Sequence, residues 1–340
     1  MGLLGIKWAP LNVPWHRRLE TAMALFWIIS LALGGPFGVA LLVYLIFFSN
    51  YYLVGLLYIA WMYYDRNTCY TGGRRCKFIR RLFIWKYFVN FFPMRLERSE
   101  ELSPNENYMF CVFPHGLLSA GAFAHFGTEV TQFGELFPGL TVFNATLDMH
   151  FKTPFFREYL MSLGVVSASK ESLLYLLDGA KKGNVLILVV GGAAESLYAH
   201  PGTYRIVLKN RKGFVRIALK TGTPLVPVFS FGETDLYDQV QNPPGSTLLR
   251  FQNWLRKYTG LAPCLFIGRG ILQYSFGLLP MRAPVTTVVG KPIAVPKIAN
   301  PSQEEVEKYH HRFTEDLVKL FEENKGKYIK NPEATELIIE

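Results

Sequence analysis

Four short stretches carry side chains that could do chemistry. In Phe113-Pro114-His115-Gly116, an apolar run ends in a turn fixed by Pro114 and Gly116, and a second apolar run follows over 117–123. A histidine there can take the proton of an alcohol attacking a carbonyl, because its imidazole is largely neutral at neutral pH. In Val189-Val190-Gly191-Gly192-Ala193-Ala194-Glu195, two glycines allow close backbone approach, and Glu195 can accept hydrogen bonds from hydroxyls. Arg211-Lys212-Gly213-Phe214 places cations at a predicted helix start, where free backbone N–H groups favour phosphate. Lys209 and Arg216 extend that basic cluster, and Phe231-Gly232-Glu233 adds a second carboxylate.

Each stretch has a plainer account. A lone histidine beside apolar residues is more often a satisfied core residue. A carboxylate at a helix start is favoured by the dipole alone, and a basic turn is commonly just solvated. No Gly-x-Ser-x-Gly elbow is present, since Gly116-Leu117-Leu118-Ser119-Ala120-Gly121 has the wrong spacing for a hydrolase nucleophile. The four cysteines, Cys69, Cys76, Cys111 and Cys264, form no Cys-x-x-Cys pair and no metal set, and read as reduced thiols.

These motifs need a scaffold. β-branched and apolar runs at 108–113, 140–143, 185–190, 225–231 and 285–289 read as strands. Helices are predicted over 170–181 and 214–220, the latter closed by Gly222. Ser302 and Glu305 form a capping box ahead of a stripe of Val306, Tyr309, Phe313, Leu317 and Leu320. Strands alternating with helices predict an α/β domain with a largely buried sheet.

The chain has 340 residues, half of them hydrophobic, with a mean hydropathy of +0.16. Between Thr21 and Tyr64 there is no charged residue and no histidine. One bilayer crossing takes about 20 apolar residues, so the run predicts a transmembrane hairpin over 21–64, either turning near residue 42 or dipping into the bilayer and returning. It is too long for a signal peptide. Arg17 and Arg18 precede it, and Arg66, Arg74 and Arg75 follow, so both flanks are expected in the cytosol. Residues 1–20 form the lead-in. Residues 71–92 read as one amphipathic interfacial helix, with Arg74, Lys77 and Arg81 on one face and Phe78, Leu82, Trp85 and Val89 on another. The catalytic domain is assigned to 93–328 and a tail to 329–340. The net charge of +10 suits anionic headgroups or a phosphorylated ligand, and no nucleic-acid-binding signature accompanies it.

In order, these motifs resemble the diacylglycerol acyltransferase type 2 family, which includes monoacylglycerol and wax-alcohol acyltransferases. The resemblance is carried by Gly72-Gly73-Arg74-Arg75, Pro114-His115-Gly116, Gly191 to Glu195, Arg211 to Phe214, Phe231-Gly232-Glu233 and Thr286 to Gly290. It implies a glycerolipid-acyltransferase-like sheet flanked by helices. It also implies acyl transfer from coenzyme A to diacylglycerol with His115 as base, in the endoplasmic reticulum membrane and at lipid droplets. Glu195 is implied as a second catalytic group. Pro114, Gly116, Gly191, Gly192, Lys209, Arg211, Lys212, Arg216 and Glu233 are expected to bind substrate.

The expected partners are acyl-CoA, mono- or diacylglycerol and the bilayer, and self-association is compatible with them. No metal or cofactor is needed, acyl-CoA being a substrate. Monoacylglycerol or a long-chain alcohol is the alternative acceptor, and a silent lipid-binding coat protein is the rival from another class. Phe113 stands where many members have a histidine. Ala120 stands where the wider glycerolipid pattern has an orienting Asp, so Glu195, Glu233 or a backbone carbonyl must orient the imidazole.

Overall fold

The computed structural model describes residues 6–10, 12–179, 181–243 and 245–340. Among the described residues eleven strands are formed: β1 (Arg95–Arg98), β2 (Tyr108–Phe113), β3 (Thr141–Thr146), β4 (Val165–Ser167), β5 (Asn184–Val189), β6 (Tyr204–Ile206), β7 (Leu225–Phe231), β8 (Asp238–Gln239), β9 (Phe266–Ile267), β10 (Thr286–Val289) and β11 (Leu337–Ile339). The helices are α1 (Trp15–Phe47), α2 (Tyr52–Tyr64), α3 (Lys77–Arg80), α4 (Ile84–Phe91), α5 (Ala120–Ala122), α6 (Phe133–Leu136), α7 (Phe156–Ser162), α8 (Lys170–Asp178), α9 (Gly192–Ser196), α10 (Gly213–Thr221), α11 (Thr247–Thr259) and α12 (Gln303–Tyr328).

Seven strands make one sheet in the order β1-β10-β7-β2-β5-β3-β4. Every pair is parallel except β10 with β7. β2 and β7 are buried at every position, as near-continuous apolar runs require of strands covered on both faces, the one hydroxyl in β7, Ser230, being paired with Thr287. On one face Met109, Cys111 and Phe113 pack with Phe214 of α10 and Phe313, Leu317 and Phe321 of α12. On the other, Phe110 and Val112 meet Phe126, Phe133 and Phe137. A further cluster joins α1 and α4 to the domain: the Trp27 ring lies 4.8 Å from Phe88 and 5.4 Å from Phe123.

The five expected strands form, β2 and β7 with the expected ends and β3, β5 and β10 with shifted ones. β1 and β4, the two edge strands, were not legible. β1 reads Arg-Leu-Glu-Arg, and charge is how an exposed edge is protected from further pairing. Helix α10 ends at Gly222 in the left-handed conformation, and the Ser302–Glu305 capping box is made on both sides.

Three boundaries are corrected. The apolar run does not turn near residue 42, because α1 continues through Pro36 to Phe47 and the turn falls at 48–51. Two glycines of α1 serve close contact with the domain. A Cβ at Gly34 would meet the Phe156 ring, and one at Gly38 the Pro154 carbonyl. α1 is the helix long and apolar enough to cross a membrane among the described residues.

Residues 71–92 do not form one interfacial helix either. α3 and α4 are separated, and Trp85, Phe88 and Phe91 are buried beneath α1. Arg80 is buried and donates to the carbonyls of Phe126, Gly127, Thr128 and Leu163. Of the expected apolar face Phe78 remains exposed, and Phe83, which is not part of that face, is exposed as well. Finally, 329–340 is not a separate tail, since β11 pairs in parallel with β6.

Candidate active site

β5, β2 and β7 are adjacent parallel strands, so their carboxyl ends open on the same edge of the sheet. Ligands of open α/β sheets bind at such an edge. Three sequence-predicted residues arrive there together: His115 after β2, Glu195 after β5 and Glu233 after β7.

The two carboxylates hold the loop that carries His115. Glu195 is 1% exposed; one oxygen accepts from the backbone N–H of His115 and the other from that of Val207 at 2.8 Å. Glu233, 2% exposed, accepts from the N–H groups of Ala120 (2.7 Å) and Gly121 (2.8 Å). The loop is thus fastened at both ends. Gly116 between them has φ +58°, and a Cβ there would run into the Glu233 side chain. Gly191 is required on the other side, where a Cβ would overlap the Glu195 carboxylate.

Burial pushes both carboxyls up to about 7, against the pull of the N–H groups and, at Glu195, of the Arg211 cation. Each oxygen nevertheless accepts one N–H, a pattern that the ionised carboxylate completes in full.

Neither carboxylate orients the imidazole. His115 Nδ1 lies 3.1 Å from the Gly116 carbonyl oxygen and 2.9 Å from Ser196 Oγ. A carbonyl can only accept, so the Gly116 contact requires the proton on Nδ1, which leaves Nε2 as a free lone pair. Desolvation holds the imidazole below the ordinary histidine range, keeping it neutral. Of the sequence-stated options for the orienting group, the backbone carbonyl is the one present. Ser196 was missed, because a serine after Glu195 on a predicted helix carries no signal of type or spacing. The N–H groups of Gly116, Leu117 and Leu118 have no acceptor among the described residues. They flank His115 where a developing oxyanion could be held.

The basic cluster does not converge as expected. Arg211 reaches the site, its guanidinium donating to the Gly191 carbonyl at 3.2 Å. Lys212 pairs with Glu307, and Arg216 donates to Gln303 at 3.0 Å, so both lie against α12. Lys209 is exposed, and its backbone N–H donates to the Glu340 carbonyl. Phe113 is fully buried in the core opposite Phe313, 6.3 Å between ring centroids. A gap under the loop too small for a water molecule is bordered by Trp27, Phe92, Leu117, Leu118, Leu236 and Tyr237, and by Glu233.

The "Diacylglycerol acyltransferase" family profile matches residues 44–340. The 2-acylglycerol O-acyltransferase 1 of Bos taurus is 48% identical over 323 residues, spanning 95% of this chain and 96% of its own. The acyl-CoA wax alcohol acyltransferase 2 of Homo sapiens is 43% identical, over 96% of this chain and 99% of its own. Human diacylglycerol O-acyltransferase 2 is 42% identical, over 92% of this chain and 81% of its own. Among solved structures, the 1-acyl-sn-glycerophosphate acyltransferase of Thermotoga maritima covers 89% of this chain and 96% of its own, with a TM-score of 0.42 and 14% identity. This chain belongs to the diacylglycerol acyltransferase family and is an acyltransferase.

Proposed function

We propose that the protein transfers an acyl group from acyl-CoA to the free hydroxyl of diacylglycerol, with His115 as general base. The observation that carries this reading is the pairing of Nδ1 with the Gly116 carbonyl, which leaves Nε2 to receive a proton. Nε2 takes the acceptor's hydroxyl proton as that oxygen attacks the thioester carbonyl. The tetrahedral oxyanion lies against the N–H groups of Gly116, Leu117 or Leu118. The C–S bond then breaks, and the imidazolium returns its proton to the departing CoA thiolate. Ester and free CoA are formed without a covalent enzyme intermediate.

Arg211 is the cation placed to meet a CoA phosphate, at the mouth of α10. The neutral acceptor reaches the loop from the membrane. α1 and α2 anchor the domain on the cytosolic face of the endoplasmic reticulum membrane, and droplets are the second expected location. The apolar turn between them enters the bilayer and returns. Tests on microsomes with labelled oleoyl-CoA would show acceptor-dependent release of free CoA and labelled triacylglycerol. A silent coat protein would release none.

Monoacylglycerol is the second reading for the acceptor, supported by the 48% identity to the bovine 2-acylglycerol enzyme. Labelled diacylglycerol from monoacylglycerol, formed in excess over triacylglycerol from diacylglycerol, would favour it.

A further inference from the structure

Residues 239–303 contain no Asp or Glu, although the chain has 26 of them, and they hold seven Lys and Arg. Within that stretch α11 has two unlike sides. Leu249 and Gln252 face the domain, with Gln252 donating to the Pro263 carbonyl at 3.1 Å and accepting from Asn242. The outer side carries Phe251, Trp254 and Tyr258, spaced to share one helix face. They are 56%, 55% and 71% exposed, and adjacent rings stand 6.0 and 5.2 Å apart. Arg250 and Lys257 are exposed on the same helix.

The apolar surface does not stop at α11. Leu261, Leu265, Ile271, Leu272, Phe276 and Leu278 are exposed in the segment that follows. That segment is tied to the start of the anchor: the Ala9 N–H donates to the Leu272 carbonyl at 2.9 Å, and Arg269 reaches the Thr21 hydroxyl at 3.5 Å.

We propose that α11 and residues 261–278 form a second bilayer-contact surface that seats on anionic phospholipid headgroups. It is separate from α1 and α2 in sequence. Tryptophan and tyrosine favour the headgroup level, where the ring is in apolar surroundings and its polar tip is wet. Arg250 and Lys257 lay their stems on that surface and their charges on lipid phosphates. A second copy of the chain fits worse. A two-fold interface sets each patch against itself, which here opposes basic groups with no acid in the stretch to pair them.

The proposal rests on the membrane reading above, and tryptophan emission separates the two. Full-length protein is placed in phosphatidylcholine–phosphatidylserine vesicles, with bromine on the phosphatidylcholine chains either near the headgroup or near the chain end. Emission lost on Trp254→Phe is that of Trp254, and emission lost on Trp61→Phe reports the anchor. Trp254 emission is expected to be quenched, more by shallow than by deep bromine. The double variant Arg250→Glu, Lys257→Glu should lose that quenching, and it should lose activity on these vesicles but not in detergent micelles. Unquenched Trp254 with quenched Trp61 would overturn the second surface alone, including the case where crosslinking finds a second copy over the rings. Absence of quenching at both would remove the membrane reading beneath it.

Discussion

Ser196 Oγ lies 2.9 Å from His115 Nδ1, on the side of the ring away from the nitrogen that would take a proton. With Nδ1 protonated, the serine oxygen accepts, and that contact strengthens as the ring becomes imidazolium. Ser196 is thus a positioning residue for the base. A neutral hydrogen bond contributes about 0.5–1.5 kcal/mol, so Ser196→Ala should lower kcat about 2–12-fold. Neither KM should change, and the acid limb of the rate profile should move to lower pH. Ser196→Thr should restore both. An unchanged pH profile would reduce Ser196 to a packing role.

Removal of the base itself should cost far more. General-base contributions are about 10²–10⁴-fold, so His115→Ala should lower kcat by that order while the protein still accumulates in membranes. The sign of the pH dependence follows from desolvation, which favours the neutral ring. The active, unprotonated form therefore persists below the ordinary histidine range, and wild-type activity should fall on acidification only beneath it. Near-normal turnover of His115→Ala would sink the mechanism.

Glu195 and Glu233 should behave as braces. In Glu195→Gln one oxygen becomes an NH₂ group facing a backbone N–H of either His115 or Val207. A buried donor left without an acceptor costs about 1–3 kcal/mol, so thermal stability should fall with activity. In His115→Ala, activity should fall alone. If Glu195→Gln abolished turnover with unchanged melting, Glu195 would be acting on substrate.

The phosphate-site test now separates residues that the sequence treated together. Charge-assisted hydrogen bonds are worth about 1.5–3 kcal/mol, so Arg211→Ala should raise the KM for acyl-CoA roughly ten-fold or more. Lys212 is already paired with Glu307, a surface ion pair. Lys212→Ala should therefore change that KM only about two-fold. Acyl-CoA kinetics on the two variants decide it, and equal effects would place the phosphates on α10 as a whole.

Much of this site was legible because β2, β5 and β7 are near-continuous apolar runs whose ends carry the Gly, His and Glu motifs. Burial on both faces leaves a strand that signature, and the chain order of the ends is enough to bring His115, Glu195 and Glu233 into view. Their division of labour was not legible. Whether a carboxylate meets a ring or a backbone N–H depends on the angle at which the strand ends, which residue type does not record. The amphipathic pattern over 71–92 misled for a related reason. An apolar helical face signals burial against something, and here the partner is α1 in place of lipid. β1 had no apolar run to read, since its position at the sheet edge is marked by Arg and Glu.

The anchor makes a prediction that follows from lengths. α1 packs on the domain at Gly38, beside the Pro154 carbonyl. α2 regains the domain at Tyr58, whose hydroxyl donates to Glu158 and accepts from the Phe155 N–H, both at 2.7 Å. The free end of α1, from Gly38 to Phe47, rises about 15 Å at 1.5 Å per residue. α2 has 13 residues and so measures about 20 Å. Both fall short of the roughly 30 Å hydrocarbon core. The apolar tip around Phe47, Phe48, Tyr51 and Leu53, all exposed, should therefore enter one leaflet and turn back. Tags at both termini should be digested by protease in intact microsomes. Asn50→Cys, at the turn, should resist an impermeant maleimide from either side and react once detergent opens the bilayer. Labelling of that cysteine from the lumen, or protection of one tag, would mean that the run crosses the membrane.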